Sequence, residues 1–167
     1  VISDHMRASA FLVADGVMPS NEGRGYVLRR IIRRALRHAN KLGAKEPVLS
    51  AMVSTLVNQM NNAFPMLKKS SKLIEANILQ EEEQFSSTLV QGMSVLEEGV
   101  KRLEGKIIPG ELIFKLYDTY GFPPDMTADF ARENRLKADL DGYEDLMAKQ
   151  KESGRQASTF SSSIPES

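Results

Sequence analysis

Arginines recur at helical spacing between residues 24 and 37, and their type and spacing suit the binding of a polyanion. The segment from Arg24 to Lys45 holds six arginines, two lysines and no acidic residue. A guanidinium is always charged and can grip a phosphate through two parallel hydrogen bonds. Residues four apart share one side of a helix, so the arginines form rows that flank an apolar stripe. They are Arg24, Arg29, Arg30, Arg33, Arg34 and Arg37.

These rows need compensation, because like charges four residues apart destabilise an isolated helix by roughly 0.2–0.5 kcal/mol per pair. Seven glutamates lie between Glu75 and Glu104, against one lysine and one arginine. Two readings therefore stay open. In one, the basic helix binds the phosphates of a nucleic acid. In the other, the chain is a structural or interaction helical domain with internally paired arginine and glutamate faces and no RNA contact.

Two polar residues near expected helix ends could supply specificity, which phosphate contacts alone do not give. Asn21 lies in the turn before the basic helix, where it could also act as a helix N-cap or an ordinary turn residue. Asp118 lies in the last turn of a later helix, where a carboxylate opposes the helix dipole. Helix stability does not explain that placement, although a solvated surface aspartate is the commoner case.

The sequence offers no credible catalytic site and no metal site. There is no cysteine, and His5 and His38 stand on separate expected helices, where a structural role is the better interpretation. Gly23-Arg24-Gly25 lacks the third glycine and the preceding strand of a dinucleotide site. The run Glu81–Glu83 points in three directions on a helix, so we expect a solvated face rather than a cation site.

Composition indicates a water-soluble chain without a membrane partner. Its formal net charge is zero, and no stretch approaches the roughly 20 apolar residues of a membrane span. The basic helix needs its apolar stripe for the core, which disfavours membrane binding, and we expect no DNA partner either. A cytoplasmic location is expected. Because the chain starts inside an apparent helix without an initiator methionine, we also expect it to be a piece of a longer protein.

Apolar spacing and the positions of Gly and Pro predict an all-α fold, a helical bundle built around one long helix. Gly92 and Gly99 invite a bend or break in that helix. The segment Gly105–Gly110 should be a turn with a short extended piece. The expected helices cover residues 1–15, 24–42, 47–60, 67–103, 111–120, 125–134 and 141–152.

This pattern predicts one helical domain over residues 1–152, divisible into subdomains 1–65 and 66–152. The tail, residues 153–167, carries six serines and little to bury. We expect it to be disordered.

Four long runs of residues closely resemble the alanyl-tRNA synthetase family and follow one another in the same order as in that family. They are Asp4–Arg7, Ala14–Glu22, Arg24–Ala35 and Leu116–Pro123. The resemblance covers about residues 1–155 and is least distinctive over about 45–80. It implies the helical tRNA-recognition region that follows the class II catalytic domain in the bacterial-type enzyme.

The resemblance also implies a function for named residues. This region binds the acceptor stem of alanine tRNA, and Asn21 and Asp118 look like the family's residues that recognise a G·U wobble pair. The parent enzyme attaches alanine to tRNA using ATP with Mg and carries zinc in an editing domain. We expect no cofactor within these residues and no aminoacylation by them alone. The expected partners are the acceptor stem and the catalytic and editing domains of the same parent chain.

The chemistry of such recognition is sensible for both residues. A carboxylate can only accept hydrogen bonds, so Asp118 suits the guanine 2-amino group. An amide both donates and accepts, so Asn21 could bond to a uracil carbonyl or to that amino group. The groove that each residue enters does not follow from the sequence.

Overall fold

Helices form over most of the described chain, because its apolar residues repeat at helical spacing. Gly, Pro and Ser mark many of the breaks between them. The structure is a computed structural model that describes residues 1–45 and 47–161, with side chains to residue 155. Among these residues are eight helices and one two-stranded sheet. The helices are α1 (Ile2–Ala14), α2 (Gly23–Lys41), α3 (Leu49–Met60), α4 (Pro65–Lys69), α5 (Ser71–Lys101), α6 (Gly110–Tyr120), α7 (Pro124–Glu133) and α8 (Leu140–Ser161). The predicted all-α class with one long helix, α5, is confirmed.

The chain divides into two compact units, Val1–Gln91 and Gly92–Ser167. In the first unit α1 packs against α2, and α1 also contacts α3 and α4. The predicted stripes of α1 and α2 supply much of its core. Their buried apolar side chains are Met6, Ala10, Val13, Leu28, Ile32, Ala35, Leu36 and Ala39.

In the second unit α6 packs against α8 and also contacts α7. The predicted extended piece is present as strand β1 (Ile107–Ile108), which pairs in parallel with a strand that the sequence did not suggest, β2 (Lys137–Ala138). The core contains Leu96, Ile108, Ile113, Leu116, Phe122, Met126 and Phe130. Helix α6 thereby has one buried face and one face that carries polar residues.

The long helix differs from its predicted course at both ends and at its glycines. It begins at Ser71 rather than at residue 67, because the chain leaves helical geometry at Ser70 (φ −94°, ψ 2°) after the short α4. Serine hydroxyls compete for backbone partners and favour such interruptions. The helix ends at Lys101 and runs without a break through Gly92 and Gly99.

Two predicted boundaries also differ in the structure. Along the chain, the boundary between the units falls after Gln91 rather than after residue 65. The reason is that the first half of α5 belongs to the core of the first unit, where it buries Ile74, Ile78 and Phe85. Helix α8 continues to Ser161, so it enters the tail that we expected to be disordered. Residues 162–167 lie outside the described residues.

Gly92 stands where α5 meets Phe122, and this contact leaves no room for a side chain. A Cβ added there would lie 2.5 Å from the ring atom Cε1 of Phe122 and 3.1 Å from Cβ of Tyr120. Overpacking costs about 1–3 kcal/mol, against a gain of about 1 kcal/mol in helix propensity. We therefore expect Gly92→Ala to lower the melting temperature. Gly154→Ala in α8, with nothing within 4 Å of the added Cβ, is the matched control and should not; equal melting temperatures would contradict this.

Candidate nucleic-acid interface

The six predicted arginines all lie on α2, but they differ in exposure along the helix. Arg24 in the first turn is exposed, whereas Arg37 near the end is buried, with 4% of its surface accessible. The four between them are partly buried: Arg29, Arg30, Arg33 and Arg34. The sequence predicted rows of arginines beside an apolar stripe, and in the structure the exposure of these arginines falls from Arg24 to Arg37.

A buried carboxylate, Glu81 of α5, pairs with two of these arginines. Arg29 donates from Nε at 2.8 Å and approaches with Nη2 at 2.7 Å, both to Oε1. Arg33 donates from Nε to Oε2 at 3.3 Å. Glu81 keeps only 2% of its surface accessible, so this ion pair is shielded from salt far more than a surface pair. Burial lowers the pKa of the Arg33 guanidinium, and the neighbouring Glu81 opposes that shift.

Two arginines of α2 also lie over aromatic rings. The guanidinium carbon of Arg33 lies 5.1 Å from the ring centre of Phe85, and that of Arg30 lies 5.7 Å from the ring centre of Tyr26. Such contacts attract the guanidinium to the face of the ring. The contacts with Glu81 and with the two rings therefore hold Arg29, Arg30 and Arg33 against the protein.

Asn21 lies in the exposed turn before α2, beside the arginine rows. Its Oδ1 accepts a hydrogen bond from Nη1 of Arg29. The N-cap of α2 is Glu22 (φ −138°, ψ 161°), so the N-cap interpretation of Asn21 is wrong. The turn packs closely on the helix, because a Cβ at Gly25 would collide with Oγ of Ser20 and the carbonyl oxygen of Met18. This close approach places the Asn21 amide within reach of Arg29.

Asp118 lies in the last turn of α6 and is exposed, as the sequence predicted. The helix ends at Gly121 in the left-handed conformation, and Phe122 N–H donates to the Leu116 carbonyl at 2.9 Å. The packing of α6 against α8 brings Gln150 to Asp118, and its Nε2 donates to Oδ1 at 3.1 Å. The carboxylate can still accept further hydrogen bonds.

Asn21 is thus brought together with Arg29 and, through Glu81, with Arg33 in the first unit. Asp118 belongs to the second unit, where its side-chain partner is Gln150. Each predicted reading residue lies on the surface of its own unit and is held by one neighbour. That arrangement suits hydrogen bonding to an external group.

Comparison with known proteins identifies the family. The family described as tRNA synthetases class II (A) matches residues 1–167. The chain belongs to this family. It is 55% identical over 160 residues to the alanine–tRNA ligase of Pseudoalteromonas translucida and 57% identical over 160 residues to that of Saccharophagus degradans. Each match covers 96% of this chain but 18% of the relative.

In this class II synthetase chain, the acidic run on α5 differs from its sequence interpretation. We expected Glu81–Glu83 to form a solvated face, but Glu81 and Glu82 keep only 2% and 1% of their surfaces accessible, and Glu83 alone is exposed. Glu82 accepts hydrogen bonds from the backbone N–H of Val48 at 2.6 Å and of Leu49 at 3.0 Å. It also accepts from Ser50, from N at 3.1 Å and from Oγ at 2.9 Å.

The residues that sequence reasoning missed in this family member are Glu81, Glu82 and Gln150. For Glu81 there was a usable signal in the sequence: Arg29 and Arg33 lie on a helix that has no acidic residue, so their acidic partner had to come from another helix. For Glu82 the signal was the start of α3, where Val48 has no capping side chain and the free backbone N–H groups need an acceptor from elsewhere. No comparable signal points to Gln150.

The described residues show neither a metal-binding group nor a membrane-spanning helix. Within the described residues, no group of three or more His, Asp or Glu side chains could hold a metal ion. No described helix is long and apolar enough to cross a membrane. Burial lowers the pKa of His5, and the nearby Arg34 adds to the shift, which suits a neutral structural imidazole at neutral pH.

Proposed function

We propose that this chain is the tRNA-recognition region of an alanine–tRNA ligase and binds the acceptor stem of alanine tRNA. The observation that carries the proposal is the identity of 55–57% to proteins named alanine–tRNA ligase over 96% of the chain. The chain spans 18% of the length of these relatives. Alanine attachment with ATP and Mg, and editing with zinc, would then belong to other parts of the parent protein.

The arrangement of the first unit supports phosphate binding by α2. Six arginines lie on one helix, and Arg24 at its N-terminal end is exposed beside the turn that carries Asn21. Arginine suits phosphate because its planar fork donates two parallel hydrogen bonds. These contacts would fix the position of the RNA backbone and give no choice of sequence.

Recognition of the G·U wobble pair would fall to Asn21 and Asp118. Both are exposed polar side chains at helix ends, and the wide, shallow minor groove of A-form RNA admits such groups. Asp118 would accept a hydrogen bond from the guanine 2-amino group, because a carboxylate has no proton to donate. Asn21 would contact the same pair through its amide.

The second candidate is a structural or interaction domain with internally paired charges. The ion pairs of Glu81 with Arg29 and Arg33 favour it, because they use part of the basic helix inside the fold. The two candidates differ in what the replacement of an exposed arginine should do. It should weaken RNA binding if α2 contacts phosphates, and it should have no effect on RNA binding if the charges serve only internal pairs.

A salt titration of acceptor-stem minihelix binding tests the proposal. Each phosphate contact contributes a slope of roughly −0.7 to −0.9 to log K against log salt, so Arg24→Gln should make the slope shallower by just under one unit. Arg102→Gln removes an exposed arginine that lies outside α2 and should leave the slope unchanged. The absence of minihelix binding would support the structural domain instead, and equal slopes for both variants would show that Arg24 makes no phosphate contact.

A further inference from the structure

The hydrogen bond between Arg29 and Asn21 fixes which end of the Asn21 amide faces outward. A guanidinium can only donate, so the group that it contacts must be the amide oxygen, Oδ1. The amide nitrogen, Nδ2, therefore points away from Arg29. Within the described part of the chain, Nδ2 of Asn21 donates to no protein group. The outward face of Asn21 is a hydrogen-bond donor.

Arg29 is held in turn by Glu81. Its Nε and Nη2 contact Oε1 of Glu81, and its Nη1 donates to Asn21. These three nitrogens lie in one rigid plane, so the carboxylate that fixes the plane also fixes the direction of Nη1. Glu81 is buried and is further held by Arg33. The orientation of an exposed amide thus depends on a buried carboxylate on another helix.

We propose that Glu81 is a positioning residue that acts through Arg29 to hold Asn21 as a hydrogen-bond donor to RNA. The inference rests on the proposed function. It adds that the Asn21 side chain acts as a hydrogen-bond donor, and not as an acceptor, toward the base pair. Asn21 would contact an acceptor on a base edge, such as a uracil carbonyl oxygen, and not the guanine 2-amino group. Glu81 of α5 would therefore take part in base recognition without touching the RNA.

The polarity is tested by Asn21→Asp in the 167-residue chain, with G·U and G·C minihelices as probes. The carboxylate still accepts from Arg29, but its outward oxygen is an acceptor and cannot donate. Discrimination between the two stems should fall about 3- to 10-fold, the range for one neutral hydrogen bond, and Asn21→Ala should match it. Full discrimination by Asn21→Asp would overturn the donor assignment.

The positioning role is tested by Glu81→Gln beside Glu83→Gln, which makes the same change at the exposed neighbour on α5. Glu81→Gln should lower discrimination about as much as Asn21→Ala does, and Glu83→Gln should not change it. Arg29→Lys is the second variant if Glu81→Gln unfolds the chain. It keeps the positive charge but loses the planar fork, so the salt slope should stay constant while discrimination falls. Circular dichroism verifies the fold of each variant.

A double variant distinguishes positioning from general weakening. Adding Arg29→Lys to Asn21→Ala should lower discrimination no further, because both changes remove the same contact between Asn21 and the base. Discrimination that is lost in Asn21→Ala but kept in Glu81→Gln and Arg29→Lys would overturn the positioning role alone. A wild-type chain that binds both stems equally would overturn the proposed function, and the inference with it.

Discussion

Replacement of Glu82 by alanine is expected to lower the free energy of unfolding by about 3 kcal/mol or more. The reason is that the N–H groups of Val48, Leu49 and Ser50 lose a shared acceptor, and each buried donor left without a partner costs about 1–3 kcal/mol. Urea denaturation followed by circular dichroism measures the change. The loss is large for a domain of this size, whose total stability is on the order of 5–15 kcal/mol.

The neighbouring residue provides the matched control for this prediction. Glu83→Ala removes the same charge from an exposed position and should change stability by no more than about 0.5 kcal/mol. Glu82→Gln should also destabilise, because an amide presents N–H groups to at least one of the converging donors. A Glu82→Gln chain as stable as the wild type would show that these bonds do not hold α3 in place.

Replacement of Asp118 by alanine is expected to abolish the preference for a guanine 2-amino group in the acceptor stem. In the wild-type chain, exchanging guanine for inosine in the wobble pair removes that amino group and should weaken binding about tenfold or more. This is the range for a hydrogen bond to a charged acceptor. In Asp118→Ala the G·U and inosine·U minihelices should bind equally. Fluorescence anisotropy at fixed salt gives both dissociation constants.

Asp145→Ala serves as the charge control, because it removes another exposed carboxylate of the second unit. It should leave the ratio of the two dissociation constants unchanged. Asn21→Ala should still respond to inosine, since Asn21 is inferred to contact a different atom. If Asp118→Ala kept the full preference for guanine, the reading role of Asp118 would be excluded.

Local sequence patterns were sufficient for most of the helices. The stripe of Leu28, Ile32 and Ala35 predicted α2, and Gly121 with Pro123 predicted the end of α6. These features depend on residues within one or two turns of each other, so a single chain segment carries the information. The exposed placements of Asn21 and Asp118 were predictable for the same reason.

The contacts that hold the candidate site were not predictable in this way. Glu81 lies 52 positions from Arg29, and Glu82 lies 34 positions from Val48. Which helix faces pack together decides such pairs, and local spacing does not contain that choice. The acidic run was read as solvated because isolated glutamates are seldom buried. Glu81 and Glu82 are buried because each has its own set of hydrogen-bond donors: two arginines for Glu81, and the start of α3 for Glu82.

The acceptor supplied by Glu82 has a consequence for the order of events during synthesis. Helix α3 starts at Leu49 and the carboxylate that completes its N-terminus comes 33 positions later. A ribosome delivers the chain from its N-terminus, and a helix of this length is marginal alone in water. Helix α3 therefore emerges before the residue that caps it. It reaches full stability only when α5 has been made and has docked.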